Sequence, residues 1–205
     1  MDELLRIETM LHYEKLARHS GFVVIAGIDE AGRGPLAGPV VAAACVLHEQ
    51  PIFIGLNDSK KVSEKNRNRL FDEIIEKAIT FGIGLADHKE IDEINILNAT
   101  KKAMERAIAQ LNPLPDFLLI DAVRLSNVAI QQRSITKGDS LSFSIAAASI
   151  LAKVTRDRLM VELSELYPQY NFAKHKGYGT KEHYEAIKLH GLCAIHRRTF
   201  TKGYR

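Results

Sequence analysis

Apolar positions follow two rhythms along the 205 residues. Residues 22–28 (FVVIAGI) and 40–47 (VVAAACVL) are short apolar runs bounded by Gly and Pro, the pattern of buried strands. Residues 80–86 alternate as a third strand, residues 117–120 (FLLI) are a fully apolar fourth, and residues 127–136 a weaker fifth. Helical spacing fills the intervals. Leu4, Ile7, Met10, Leu11, Tyr13 and Ala17 fall near one face over residues 2–19, before a stop at Ser20-Gly21. Ser63 caps a helix carrying Leu70, Ile74, Ile75 and Ala78. Asn95 caps another with Ala99, Ala103, Met104, Ala107 and Leu111 on one face, ended by Pro113 and Pro115. The small residues Ala146, Ala147, Ala148, Ser149 and Ala152 predict a helix packed closely on the sheet, and Thr180 and Gly191 bracket a last one.

The chain is organised around what lies between the first two strands. Residues 22–28 stop at two adjacent carboxylates, Asp29 and Glu30, and a turn rich in Gly and Pro leads to the second run. An unpaired buried charge is strongly unfavourable, so these acids call for a cation or a paired Arg. Neighbouring side chains of a regular strand point to opposite faces, so the two cannot both aim at one point while the strand stays regular. Gly32, Gly34 and Gly38 let the backbone bend or approach a ligand, and Pro35 and Pro39 stiffen it. Residues 117–120 also stop at a carboxylate, Asp121. If the two strands are parallel neighbours, Asp29 and Asp121 share the sheet edge where ligands bind, and the helix between the third and fourth strands permits such a crossover. Asp139 precedes the small-residue helix and can approach from the side. The bland alternatives are a hairpin turn with solvated acids and Arg33 paired to Glu30, and an Asp139 that merely caps its helix.

Four carboxylates at element ends, with no His or Cys among them, favour Mg²⁺ or Mn²⁺ over zinc. Two such ions about 4 Å apart can activate a water and stabilise a leaving oxygen, an arrangement that cleaves phosphodiesters. Charge division adds a partner. Residues 174–205 carry eight Lys and Arg against two acids, +6, while residues 1–173 carry 20 against 23, −3. A basic end beside an acid-bearing body fits a polyanion held by one part and acted on by another. Ser59, Lys60 and Lys61 stand before a helix N-terminus, where phosphate binds readily. Tyr178 lies between Gly177 and Gly179, beside Lys174, His175 and Lys176, as suits a nucleic-acid strand.

Length and composition are those of one ordinary soluble domain. The acidic, mixed N-terminus argues against a secretory signal, and no apolar run reaches bilayer length. Cys45 and Cys193 form no metal or redox spacing and are expected as free thiols, as in a reducing cytoplasm. Gly32-x-Gly34 after a strand is a poor dinucleotide fingerprint, since the next glycine comes at 38 and two acids precede the loop.

The motifs GIDEAGRGPLAGPV, DSKKVS, EIDEINILNAT, IDA, KGDSLSFSIAAASILAKVTRDR, HKGYGT and HRRTF occur in the order found in type 2 ribonuclease H, ribonuclease HII. The resemblance covers nearly everything after residue 20. It implies an α/β, ribonuclease H-like fold: a mixed five-stranded sheet flanked by helices, with a C-terminal helical extension. The expected organisation is an N-terminal packing helix over residues 1–20, a catalytic domain over 21–165 and a continuous basic, substrate-contacting segment over 166–205.

The family's acidic tetrad maps onto Asp29, Glu30, Asp121 and Asp139, serving as catalytic residues and as ligands of two Mn²⁺ or Mg²⁺ ions. Its loop that reads the ribose 2′-hydroxyl maps onto Gly32, Arg33 and Gly34, and its sugar-packing tyrosine onto Tyr178. Ser59, Lys60, Lys61, Lys137, Ser140 and Lys176 are further substrate-contact candidates within the matched motifs. The implied reaction is metal-dependent hydrolysis of RNA in RNA–DNA hybrids, and of duplex DNA 5′ to an embedded ribonucleotide, by a cytoplasmic monomer that can meet a sliding clamp. The alternative is a module that grips hybrids without cutting them, although clustered acids would only weaken such binding. Two positions depart from the family pattern: Ala122 where many relatives have Gly, and LCAI before His196 where relatives often carry Pro.

Overall fold

The sheet is five-stranded and mixed, in the order β3-β2-β1-β4-β5. The computed structural model describes residues 3–204. Its strands are β1 (Ile25–Ala31), β2 (Val40–Val46), β3 (Thr80–Ala86), β4 (Phe117–Asp121) and β5 (Gln131–Ile135). Its helices are α1 (Glu3–Met10), α2 (His12–His19), α3 (Glu64–Lys77), α4 (His88–Ile108), α5 (Phe143–Leu166), α6 (Phe172–His175) and α7 (Lys181–His190). β2 runs antiparallel to β1 and β3, whereas β4 runs parallel to both β1 and β5. The crossover to β4 is made by α4, as parallel pairing requires.

Four boundaries differ from the sequence pattern: the fifth strand is only Gln131–Ile135 instead of 127–136, and the other three differ for local reasons. The first helical stretch is two helices meeting at Leu11, and its residue 2 lies outside the described residues. The first strand begins at Ile25 rather than 22, because the backbone N–H groups of Val23 and Val24 donate to the Asp116 carboxylate. It then continues through Asp29 and Glu30, which pair with Ala43 and Ala42 of β2. α4 starts at an Asp87–Glu90 capping box, well before Asn95. Asn95 sits at a kink inside it (φ 65°) and re-caps the second half by accepting from the N–H groups of Leu97 and Asn98.

Packing makes two layers of core on the sheet. Ile28, Ala42, Leu118 and Ile120 face α4, while Ala43 and Cys45 face α3 and α5. The small residues of α5 let it press onto β1: a Cβ on Gly27 would stand 2.1 Å from the backbone carbon of Ser144. That close approach places Ser149 of α5 beside the end of β1. No helix among the described residues is long and apolar enough to cross a membrane.

Candidate active site

Register decides where the acids go. Ile28 of β1 pairs with Ile120 of β4, the last pair of that parallel ladder, so Asp29 and Asp121 follow side by side where the two strands part. Strand alternation then separates Asp29 from Glu30. Asp29 shares the face of its partner Ala43, towards α5, and Glu30 shares the face of Ala42, towards α4. Asp121 accepts from the Gly138 N–H at 2.7 Å, which ties β4 to the 3₁₀ turn Gly138–Ser140 that carries Asp139. Asp139 does not cap α5; Ser142 does.

All four acids line one cleft of about 790 Å³, with Gly32, Arg33, Gly34, Ser59, Lys60 and Tyr178 on its other walls. Lys61, Lys137, Ser140 and Lys176 lie outside that lining. Lys61 donates to Ser140 at 3.2 Å on the exposed surface, and Lys137 is exposed beside the turn. The ammonium of Lys176 turns back to the Ala173 carbonyl, and its side chain borders a separate groove between α3 and α5.

The acids are electrostatically unsatisfied. Burial, then the charge of Glu30 and more weakly that of Asp121, hold the Asp29 carboxyl well above its usual range, against a hydrogen bond with Ser149. Burial raises Glu30 as well, with Arg33 opposing it from 3.4 Å. Asp139 is raised by burial and then by Asp58, an acid the sequence pattern did not single out. One oxygen of Glu30, Oε2, is buried without a hydrogen-bond partner. Divalent cations fit this donor set, which is all carboxylate oxygen, under-neutralised and partly unpartnered. The fit lies in chemistry and not in a preformed cage, for no three His, Cys, Asp or Glu among the described residues stand together as an ion would need.

The glycine loop facing the acids is held by two buried arginines. Arg197 donates to the carbonyls of Gly32 (2.6 Å), Arg33 (3.0 Å) and Gly38 (3.0 Å). Arg156 donates to those of Pro39 (2.9 Å), Ala37 (3.3 Å) and Lys176 (3.0 Å). Burial pulls their pKa values down to about 9 and about 10. Gly32, at φ +98°, has no room for a side chain, because a Cβ would fall 2.0 Å from Arg156 Nε. The Arg156 guanidinium also stands 5.8 Å from the centre of the Tyr178 ring. That ring is 43% exposed at the cleft, near enough that a Cβ on Gly34 would lie 3.8 Å from it. Neither arginine stood out in the sequence, since carbonyl acceptors leave no residue-type signature. Lys153 and Ser149, also in the lining, were hidden on a helix read as packing.

The sequence profile described as Ribonuclease HII matches residues 26–203. The chain belongs to the ribonuclease HII family. It is 60% identical over 202 residues to the ribonuclease HII of Ruminiclostridium cellulolyticum, spanning 98% of this chain and 79% of that relative. In structure it resembles ribonuclease H2 from Pyrococcus horikoshii OT3, with a TM-score of 0.74 and 29% identity over 87% of this chain and 94% of that one. It also resembles a chain of the PCNA:RNase HII complex from Archaeoglobus fulgidus, with a TM-score of 0.71 and 26% identity over 85% and 94%. As a member of the ribonuclease HII family it is a ribonuclease H enzyme, and the ribonuclease H-like fold expected from the motifs is the fold it has.

Proposed function

We propose that this ribonuclease H is a metal-dependent endonuclease that cuts the RNA strand of RNA–DNA hybrids and cuts duplex DNA 5′ to embedded ribonucleotides, leaving 3′-hydroxyl and 5′-phosphate ends. The carrying observation is that Asp29, Glu30, Asp121 and Asp139 share one cleft with the Gly32–Arg33–Gly34 loop and Tyr178. The four acids would hold two Mn²⁺ or Mg²⁺ ions, which supply Lewis acidity and a nucleophilic water. Around them the chain orients the substrate. The loop offers main-chain groups to the 2′-hydroxyl, the one local handle that separates RNA from DNA. Tyr178 offers a ring to the neighbouring deoxyribose, and Ser59 and Lys60 reach the same cleft as contacts for the phosphates. The partners are then hybrid and ribonucleotide-bearing duplexes, and a sliding clamp is a further one, of the kind with which the Archaeoglobus fulgidus protein was solved.

Matched duplexes carrying no ribonucleotide, one, or a long run, incubated with and without Mn²⁺ or Mg²⁺, test this reading. The expected result is ion-dependent cutting wherever a ribonucleotide is present and none in pure DNA. Binding without cutting in either ion would support the gripping module instead.

A further inference from the structure

Beneath Tyr178 lies a cluster of buried histidines to which none of the roles above gives a part. His183 of α7 and His196 of the C-terminal segment are 0% and 2% exposed, with their Nε2 atoms 3.0 Å apart. Their outer nitrogens fix who donates. His183 Nδ1 lies 2.9 Å from the Tyr178 carbonyl, and a carbonyl only accepts, so the proton is on Nδ1. Neutral His183 can then only accept at Nε2, so His196 Nε2 must be the donor. That leaves His196 Nδ1 as an acceptor, and the Cys193 N–H donates to it at 2.9 Å. The Cys193 carbonyl, at 3.4 Å, is the longer contact. Three hydrogen bonds thus run one way, from Cys193 through both rings to Tyr178.

The surroundings hold this order. His175 stacks on His183 with ring centres 4.6 Å apart. Its own nitrogens are engaged by the Tyr170 carbonyl and the Gly177 N–H, and its carbonyl accepts from the Tyr178 N–H at 2.9 Å. Burial keeps His183 below its usual pKa and pushes His196 down to about 4, so both rings are neutral at pH 7. A second proton on His183 would set two N–H donors against each other across 3.0 Å, and one on His196 would set its Nδ1 against the Cys193 N–H across 2.9 Å. The relay starts on the same strip of chain as the loop anchor, since His196 bridges to Ala37 and precedes Arg197.

We propose that His183 and His196 are positioning residues, a one-directional hydrogen-bond relay that fixes the Tyr178 backbone and thereby seats its ring for the nucleotide beside the scissile bond. This rests on the reading of Tyr178 as a substrate contact. A merely structural histidine pair would affect folding without selecting among substrates.

Two measurements test it. Two-bond ¹H–¹⁵N correlation spectra of the full-length protein at pH 7.5 read the tautomers directly: His183 is expected as the Nδ1–H form and His196 as the Nε2–H form. An Nε2–H His183 overturns the relay. In the Mn²⁺-activated enzyme, His183→Phe should raise KM for a duplex with one ribonucleotide about five- to tenfold with kcat within about twofold, the scale of one lost hydrogen bond. His183→Asn, which keeps a donor where Nδ1–H stood, should restore most of that KM. Tyr178→Ala is run alongside. If it raises KM while folded His183→Phe does not, the coupling is refuted; if Tyr178→Ala is itself silent, the substrate reading of Tyr178 fails and the positioning role falls with it. Should His183→Phe not fold, failure of folded His183→Asn to keep KM within about threefold of wild type overturns the proposal.

Discussion

On one wall of the cleft Glu30 keeps a buried oxygen with no partner and Asp29 is held above its normal range by burial and then by its neighbours; on the other, Arg197 donates to the carbonyls of Gly32, Arg33 and Gly38. The acidic wall is left short of positive charge, whereas the loop wall brings its own cations and buries them. A site that reads a sugar gains from groups fixed beforehand, because ordering them on binding would cost affinity. A site that takes cations gains from negative charge left unneutralised. On the function proposed above, the two walls therefore differ in what would complete them: the protein itself on the loop side, ions on the acid side.

The sharpest way to break this division is to remove one acid. Asp121→Asn preserves shape and the acceptor for the Gly138 N–H while deleting a charge. Cleavage should fall about 10³-fold or more, the several kcal/mol that metal-assisted charge stabilisation supplies, with hybrid affinity within about threefold. Single-turnover cleavage beside a binding titration separates the two quantities, and near-full activity would remove Asp121 from the chemistry.

The loop wall should fail differently. Arg197→Lys keeps the charge, but one ammonium cannot serve the three carbonyls that a planar fork reaches. Stability should drop by about 2–4 kcal/mol from buried carbonyls left unpaired, and the preference for ribonucleotide over DNA should shrink even where the variant folds. Urea unfolding and the ratio of cleavage rates on the matched duplexes measure both. An unchanged ratio in a destabilised variant would make Arg197 a fold residue only.

How much of this contrast was legible beforehand follows from how each wall is built. The acids announce themselves: a carboxylate directly after an apolar run is costly, and two such runs repeat the signal at Asp29 and Asp121. The shared cleft follows from β1 and β4 pairing in parallel. The arginines do not announce themselves, for Arg156 and Arg197 meet carbonyls of residues 32–39 across more than a hundred positions. Local signals also misplace boundaries when a distant group intervenes. Asp116 takes the N–H groups that Val23 and Val24 would give to a sheet; Asn95 does cap the helix its type suggested, but a preceding helical stretch, capped at Asp87, runs into it across a kink.

A smaller effect sharpens the account of the acid wall. A carboxyl whose folded pKa lies above its unfolded value contributes stability at low pH that is lost as pH rises through the folded value. Asp29 is such a group, raised by burial, Glu30 and Asp121. In metal-free protein Asp29→Asn should therefore raise Tm at pH 8 and give no gain near pH 4, with about 2–4 °C for each kcal/mol recovered in a chain of this size. Mn²⁺ should raise the Tm of the parent protein at pH 8 more than at pH 5, since protons compete for the same oxygens. Scanning calorimetry at the two pH values decides it, and a loss of Tm at pH 8 would mean that Asp29 is satisfied as it stands.

The smallest expected change sits next to the third acid. Ala122 adopts φ +50°, the left-handed region in which a Cβ is strained and glycine is not. Its N–H still donates to the Ile135 carbonyl at 3.1 Å, so the turn from β4 towards β5 holds that strain instead of relaxing it. Ala122→Gly should relieve it, partly offset by the greater freedom glycine has when unfolded, for a net gain of about 0.5–1 kcal/mol. The side chain is exposed, so nothing packed is lost. The denaturation midpoint should rise with the slope of the transition unchanged. A fall in midpoint would mean that the native backbone at 122 is not left-handed, and that the hydrogen bond orienting Asp121 towards Gly138 is built on a different turn.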